Sequence, residues 1–555
     1  MIQIQSGTEA SGRRVLLAAL VVVLAWAGLL RFTGITGSRL LLCDESYYLL
    51  EARRIVGQVH ACEKIWQIWR RDRPAGLIHL QPPEKAEIEA LAGDGYGQIG
   101  GRFGHDLLLA AGLLSGLPEV WGGHLIAALF GFATVLMIVA WSARAWGARA
   151  ALFAGAVLGG SVVHLAYSRS VLCESDAIFF LIASLVAYAN ALAAPPERRT
   201  AWTLASGFAF GLAFVCNMRA VPVVYALVAF EITELAPRRS LLRLITFGAA
   251  AVVPLALAES LFHILFLFSG AAGVLLTRQS YVHSILWQFT RLHGGVMSPG
   301  TNLGQYGRYV ASLENPLALV VWALGLAALA FHATRPGRAP ERLLATAALA
   351  LIGYWESAVG FKCLRYISPV VPLLALAAGL AFSQALAAVD VRAPRLAAPL
   401  TLALALLLVT SSSLTWSAWQ GERPGYRDVA DWLATQGRCR IIATQANYFR
   451  LRFPLADVEL ASGLEQVKEL HARGFRWYVD CYQKYHWPER PALLQVQKEL
   501  SRVPPRAFPQ PMAGTPFNWY EAGLPEVPAE WSADAPVIKV WDLDAVFGPP
   551  ATAAL

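Results

Sequence analysis

Long apolar stretches, most of them separated by short charged connections, dominate the first 420 residues, and the remainder of the chain does not continue the pattern. Lipid offers no partner to an open backbone amide or carbonyl, so an apolar stretch of about 20 residues predicts a spanning helix. Eleven stretches read this way: 15–32, 121–141, 148–166, 177–194, 201–216, 220–235, 241–268, 316–333, 343–361, 366–389 and 397–416. A shorter apolar run, 107–117, falls below spanning length and is expected at the membrane interface.

Past residue 420 the period changes. Val429, Trp432 and Leu433 give helical spacing over 426–435, followed by a strand-like run at 439–444. The same alternation recurs as a helix at 464–473 and a strand at 475–481. Helix and strand in alternation predict a parallel sheet, so 420–555 is read as a separate α/β domain. No catalytic motif stands out in it, and no internal repeat is visible.

Composition agrees with a membrane protein. Of the 555 residues 56% are hydrophobic and only 15% charged, against about 25% charged in soluble chains. Mean hydropathy is +0.46. A soluble nucleic-acid binder and a disordered chain are both excluded on these grounds.

The net charge of +8 sits wholly in the apolar part, since 420–555 holds 15 basic and 16 acidic residues. Arg13/Arg14, Arg144/Arg149, Arg198/Arg199, Arg238/Arg239/Arg243, Arg335/Arg338/Arg342 and Arg392/Arg395 fall on alternate connections. The positive-inside rule then places the N-terminus in the cytoplasm and the tail outside. Leu29, Leu30 and Arg31 offer no small-residue cleavage site, so the first span is read as an uncleaved anchor. All seven cysteines then fall outside, with Cys43–Cys62 and Cys439–Cys481 as candidate disulfides and free thiols as the equal alternative.

Two outer loops are long, 33–120 and 269–315. Loops of that length usually carry function. Four charged groups mark the outer face, where ionisable residues are costly. Asp44-Glu45 follows the first span and suits a general base or metal ligands, the plainer alternative being the cap of a helix over 47–56. Ser168-Arg169 precedes Glu174 and Asp176, whose spacing can aim two carboxylates at one cation or sugar; capping of the next span is again the alternative. Arg219 fits interfacial snorkelling better than phosphate contact. Lys362 and Arg365 run against the positive-inside trend, which an anionic lipid headgroup or phosphate explains, interfacial snorkelling being the alternative.

At these residues the chain resembles the GT-C glycosyltransferases, most closely the bacterial branch with the aminoarabinose transferases and relatives of the protein O-mannosyltransferases. The resemblance covers about the first 420 residues: Asp44-Glu45 after the first span, Ser168-Arg169 with Asp176 before Phe179-Phe180, and Lys362, Arg365, Tyr366, Pro369 and Pro372 in order. It implies an α-helical polytopic enzyme of GT-C type, with residues 1–419 as the transferase domain and 420–555 as a periplasmic domain. It also implies a polyprenyl-phosphate-linked monosaccharide as donor and transfer on the periplasmic side of the bacterial inner membrane.

By match, Asp44 is the expected base with Glu45 beside it, and Glu174 and Asp176 form a second acidic site. Lys362, Arg365 and Tyr366 are expected near the donor, with Arg169 and Arg219 as further contacts. Relatives often carry Lys-Pro-Pro ahead of the second span. Here Gln81-Pro82-Pro83 lies upstream, and Arg102 or His105 is expected to substitute. A Trp-Trp-Asp motif of oligosaccharyltransferases is absent.

The reaction expected is an inverting single displacement onto a hydroxyl acceptor, whether lipid, glycan or protein. A metal is not required; were Mg2+ or Mn2+ to bind, Asp44, Glu174 and Asp176 would be its ligands. The rival reading is a transporter or flippase of lipid-linked sugars, with Glu259 and Glu356 as acids inside apolar spans.

Overall fold

The computed structural model describes residues 5–37, 43–72, 81–92, 102–234, 237–271, 282, 286, 300, 303–359, 364–420, 425–437, 439–481, 491–509 and 537–550. Its first half comprises α1 (Gln5–Phe32), α2 (Cys43–Asp72), α3 (Pro82–Ala92), α4 (Phe103–Leu114), α5 (Glu119–Trp146), α6 (Ala148–Gly160), α7 (Val162–Ser168), α8 (Glu174–Ala193), α9 (Pro196–Cys216), α10 (Pro222–Thr233) and α11 (Pro237–Ala271). The bundle continues with α12 (Gln305–Leu313), α13 (Pro316–Ala333), α14 (Ala339–Ser357), α15 (Leu364–Ile367), α16 (Val371–Arg392) and α17 (Pro394–Gln420).

Over their described residues all eleven expected stretches are largely helical, but fewer meet spanning length and hydropathy. Among the described residues seven do: α1, α5, α8, α11, α13, α15 with α16, and α17; the bent pair α6–α7 makes an eighth. The other three depart for visible reasons. The α9 helix opens on Glu197, Arg198 and Arg199, α10 has 12 residues, and α14 carries Glu341, Arg342 and Glu356.

The α6 helix forms the axis of the bundle, with Ala150 through Gly160 all buried, and α1, α5, α16 and α17 pack around it. Between α9 and α11 the backbones nearly touch. A Cβ on Gly207 would lie 2.1 Å from the Phe247 carbonyl oxygen, and one on Gly211 2.4 Å from that of Ala251. Small residues at a helix crossing let van der Waals packing replace the hydrophobic drive that lipid cannot supply.

At Ser161 the chain bends by 64° between α6 and α7. A break inside a membrane frees backbone groups that must find partners. Carbonyls ending α6 receive the buried Arg31: Nη1 donates to Gly159 O at 3.1 Å and Nη2 to Leu158 O at 3.4 Å. The start of α7 meets Glu314, whose carboxylate accepts from Val162 N at 3.1 Å, Val163 N at 2.9 Å and Ser161 Oγ at 2.6 Å. Each charge opposes the helix end it faces, a cation at the carbonyl end and an anion at the amide end.

The outer segment departs further from expectation. Where a helix over 47–56 is expected, α2 runs for 30 residues. The 107–117 run begins inside α4, where Phe103, His105, Asp106, Leu109, Ala110 and Gly112 are buried as the helix packs on α2, α5 and α9.

The tail holds α18 (Tyr426–Ala434), β1 (Ile441–Ala443), α19 (Ala446–Arg452), β2 (Val458–Leu460), α20 (Leu464–Ala472), β3 (Trp477–Asp480), α21 (Pro491–Leu500), β4 (Arg506–Pro509), β5 (Val537–Asp542) and α22 (Leu543–Phe547). The strands form one sheet in the order β2-β1-β3-β5-β4. The β1 strand pairs in parallel with β2 and β3, and β5 runs antiparallel to β3 and β4. Separate apolar clusters cover the two faces. Through α19 the tail rests on α2, where Arg53 donates to Leu451 O at 3.1 Å and also pairs with Glu119. Neither candidate disulfide forms, because Cys62 and Cys439 are free thiols and Cys439 instead donates to Leu433 O.

Candidate functional site

Four separate elements bring charge to one place. Asp44 and Glu45 lie in the first turn of α2, and Glu174 and Asp176 in that of α8, positions where the helix dipole favours carboxylates. Arg365 sits on the four-residue helix α15. Arg219 lies in a 3-10 turn, Met218–Ala220, after α9, where Asn217 Oδ1 accepts from its amide at 3.1 Å.

There Arg365 Nη2 donates to Asp44 Oδ2 at 2.6 Å, and its Nε lies 3.8 Å from Glu174 Oε1. Arg219 Nη1 donates to the same Glu174 oxygen at 2.8 Å. The Arg219 guanidinium stacks 4.2 Å from the Tyr366 ring centroid, and Tyr366 leans on Trp355. Such a face-on contact favours the cation by about 0.5–2 kcal/mol. Asp44 is the member open to solvent, with 27% of its side chain exposed against 7% for Arg365 and 2% for Glu174.

Arg102 completes the set. It donates to the Tyr48 hydroxyl, and its guanidinium carbon lies 5.1 Å from the Tyr48 ring centroid. Three guanidiniums therefore surround two carboxylates, an excess of one positive charge. Burial by itself pushes the Asp44 carboxyl up, but Arg365, Arg102 and Arg219 outweigh it and hold it well below the usual carboxylate range. Asp44 is ionised at neutral pH.

The other expected residues fall around this set. Glu45 is fully buried and accepts from Val171 N at 2.7 Å, which pins the turn leading into α8. His105 Nδ1 lies 3.1 Å from Asp176 Oδ2, and its ring packs edge-on against Tyr48. Arg169 points elsewhere: its Nη1 donates to Leu30 O at 2.8 Å, Arg31 O at 3.2 Å and Thr33 O at 2.9 Å, closing the end of α1. Lys362 lies outside the described residues.

The three acids do not fit a metal. Asp44 and Glu174 are ion-paired with arginines and Asp176 with His105. Among the described residues no three such side chains group as ligands. The transporter candidates are occupied locally: Glu259 pairs with His263 at 2.8 Å, and Glu356 accepts from Gly304 N at 3.1 Å.

Three contributors have no role assigned in the sequence reading: Tyr48, Cys173, whose sulfur receives Asn217 Nδ2 at 3.2 Å, and Asn217 as the brace of Arg219. Tyr48 stands one turn past Asp44 on a helix, and that spacing is the signal that could have found it. The Arg-rich connections gather at the other end of the bundle. Arg144 bonds Asn190 and Arg243 pairs with Glu231; Asn190 is 16 residues along α8 from Glu174, or roughly 24 Å.

The sequence profile of the dolichyl-phosphate-mannose-protein mannosyltransferases matches residues 108–295. No curated protein matches the chain. Among solved structures, ArnT from Cupriavidus metallidurans bound to undecaprenyl phosphate is similar at 15% identity and TM-score 0.54, covering 95% of this chain and 97% of that one. An archaeal oligosaccharyltransferase, AglB from Archaeoglobus fulgidus in complex with an inhibitory peptide and a dolichol-phosphate, is similar at 13% identity and TM-score 0.56, over 87% of this chain and 72% of that one. The chain is a polytopic membrane protein with the GT-C glycosyltransferase fold.

Proposed function

We propose that the protein is a glycosyltransferase that moves a monosaccharide from a polyprenyl-phosphate donor to a hydroxyl acceptor. The observation that carries this reading is the Asp44–Arg365 contact beside Glu174 and Arg219, a solvent-reached carboxylate against buried guanidiniums. Asp44 removes the hydroxyl proton while that oxygen attacks the anomeric carbon from the face opposite the phosphate. The bond to the phosphate oxygen breaks, and its electron pair leaves with the lipid phosphate. Arg365 and Arg219, with Lys362, take up the charge that develops there. Inversion follows from the single displacement.

The donor class is supported by the lipid phosphates named with ArnT and AglB and by the family of the matching profile. A periplasmic site in a bacterial inner membrane is supported by charge: the Arg-rich connections lie at the end of the bundle away from Asp44, as the positive-inside rule requires of the cytoplasmic end. The tail, on the side of α2, then stands in the periplasm.

Purified protein incubated with a panel of polyprenyl-phosphate sugars and the cell-envelope acceptor fraction is expected to release polyprenyl phosphate from one of them. Asp44→Asn should abolish that release and still melt cooperatively. Turnover retained by Asp44→Asn would exclude Asp44 as base, and movement of intact donor across vesicles without release would favour the transporter.

A further inference from the structure

Next to the charged contacts of the site lies a second group of polar atoms that the reaction above leaves unused. His105 and Asp106 stand in the first turn of α4, with both amides bonded to Arg102 O, at 2.9 and 3.2 Å. Asp176 follows Glu174 by two residues in the first turn of α8. His105 joins the two helices through its 3.1 Å contact with Asp176, and its ring meets Tyr48 edge-on, 5.1 Å between centroids. The Tyr48 hydroxyl receives Arg102, so one side chain touches both the cations of the site and this group.

All three residues are buried, His105 and Asp176 at 2% exposure and Asp106 at 1%. Among the described residues His105 Nε2, Asp176 Oδ1 and both Asp106 oxygens have no hydrogen-bond partner. Glu51 of α2, 3% exposed, has one such oxygen as well, and its charge and that of Asp176 act on Asp106. The Cys216 thiol lies against Asp176, but a thiol is a weak donor. Other buried acids here are satisfied: Glu314 by three donors, Glu231 by Arg243 and Tyr188. A buried polar atom without a partner costs stability, and four on three neighbouring residues are more than a fold needs.

The open atoms share a character. Asp176 Oδ2 accepts the Nδ1 proton of His105, which fixes the tautomer and leaves a lone pair on Nε2. Asp176 Oδ1 is an acceptor too, and a hydroxyl, which both donates and accepts, suits the Asp106 carboxyl in either protonation state. The cations around Tyr48 and Tyr366 call for the opposite partner, since Arg102, Arg219 and Arg365 can only donate, as a phosphate requires. A sugar esterified to phosphate answers both halves. We infer that His105, Asp106 and Asp176 form the subsite for the sugar ring of the donor, which they hold by its hydroxyls. This rests on the donor being a polyprenyl-phosphate sugar.

The energetics favour occupation. Because the four atoms are shut off from solvent, the ring must displace its neighbours to reach them, and the hydrogen bonds it then makes replace none that the free protein had. Selectivity follows from the same burial. A sugar lacking the right hydroxyl leaves an acceptor buried and unmet, so such a subsite rejects it far more strongly than an apolar pocket rejects a missing methylene. The substrate class is thus a neutral ring with free hydroxyls. No bond forms or breaks at these three residues; they place the anomeric carbon, and the displacement itself is left to Asp44 and the arginines.

The test uses the donor found above and a series of it in which each ring hydroxyl in turn is replaced by fluorine, which cannot donate. In the wild type at least one replacement should lower kcat/KM by about tenfold or more. His105→Phe and Asp106→Leu should each lower kcat/KM for the parent donor by a similar factor. Fluorine at the matching position should then cost little more, because its partner is already gone. Plain polyprenyl phosphate has no ring to place and should bind wild type and both variants within about twofold. Stability gives a readout that a structural role would reverse: Asp106→Leu removes two unmet oxygens, so its melting temperature should hold or rise. A fluorine series without effect, or folded variants with wild-type kcat/KM, would overturn the subsite, as would an equal loss of plain polyprenyl phosphate. If His105→Phe does not fold, Asp106→Leu decides alone. A panel from which no donor is cleaved sinks the proposed function itself; cleavage beside unaffected variants sinks only the subsite.

Discussion

A single guanidinium links the acidic and basic halves of the site. Arg365 touches both Asp44 and Glu174, and a hydrogen bond to a charged group contributes about 1.5–3 kcal/mol. In the proposed reaction Arg365 also donates to the lipid phosphate, so Arg365→Ala should weaken donor binding by roughly 10- to 100-fold, read by titrating polyprenyl phosphate. Arg365→Lys should recover little, since a point charge cannot bridge two carboxylates as a planar fork does. Glu51 makes a thermodynamic prediction independent of catalysis. Its folded proton affinity, raised to about 7 from 4.5, exceeds the unfolded one, so it supports the fold at low pH and that support is lost as pH rises through this window. Glu51→Gln cannot ionise, so its melting temperature should gain on wild type more at pH 8 than at pH 5, by a shift worth up to about 3 kcal/mol. Which residues were legible follows from chemistry. Asp44 and Arg365 announce themselves as charges in an apolar chain at a helix end. Glu51 and Asp106 do not, because an acid among Arg53, Arg54 and Gln58 reads as a wet helix face until α4 is known to cover it.

The broken span is the element on which the site's placement depends, because α7 leads directly into the turn that Glu45 holds and then into α8. Glu314→Ala strips an acceptor from three donors at once and leaves them buried. Each orphaned donor costs about 1–3 kcal/mol, so this variant should unfold at a markedly lower temperature in detergent, with amide exchange at Val162 and Val163 rising first. Glu314→Gln should lose less, keeping an oxygen to accept. Apolar length made α6 and α7 legible as one pass, but the bend was not, for Ser161 is an unremarkable residue and its two partners lie far away in sequence. Arg31 read only as the end of α1. The α2 helix was underestimated because Trp66 and Trp69 among charges break its apolar period; α3, α4, α11 and α19 packing on it supply what its own sequence lacks.

At the scale of the molecule the arrangement is polar in the electrical sense. Arginines gather at one end of the bundle, and at the other Arg365 and Arg219 meet Asp44 and Glu174 while Arg102 meets Tyr48. The tail's first two helices and strands were legible from periodicity, whereas β4 and β5 close the sheet from a proline-rich stretch with no period to read. In the proposed reaction the three guanidiniums, set against Asp44 and Glu174, would hold the lipid phosphate both before and after the sugar has gone. The emptied carrier should then be slow to depart. Polyprenyl phosphate added to the assay should inhibit competitively with donor, and protein extracted in mild detergent should bring a spent lipid with it. The pace of the cycle would be set in the bilayer, by the exchange of one long tail for another.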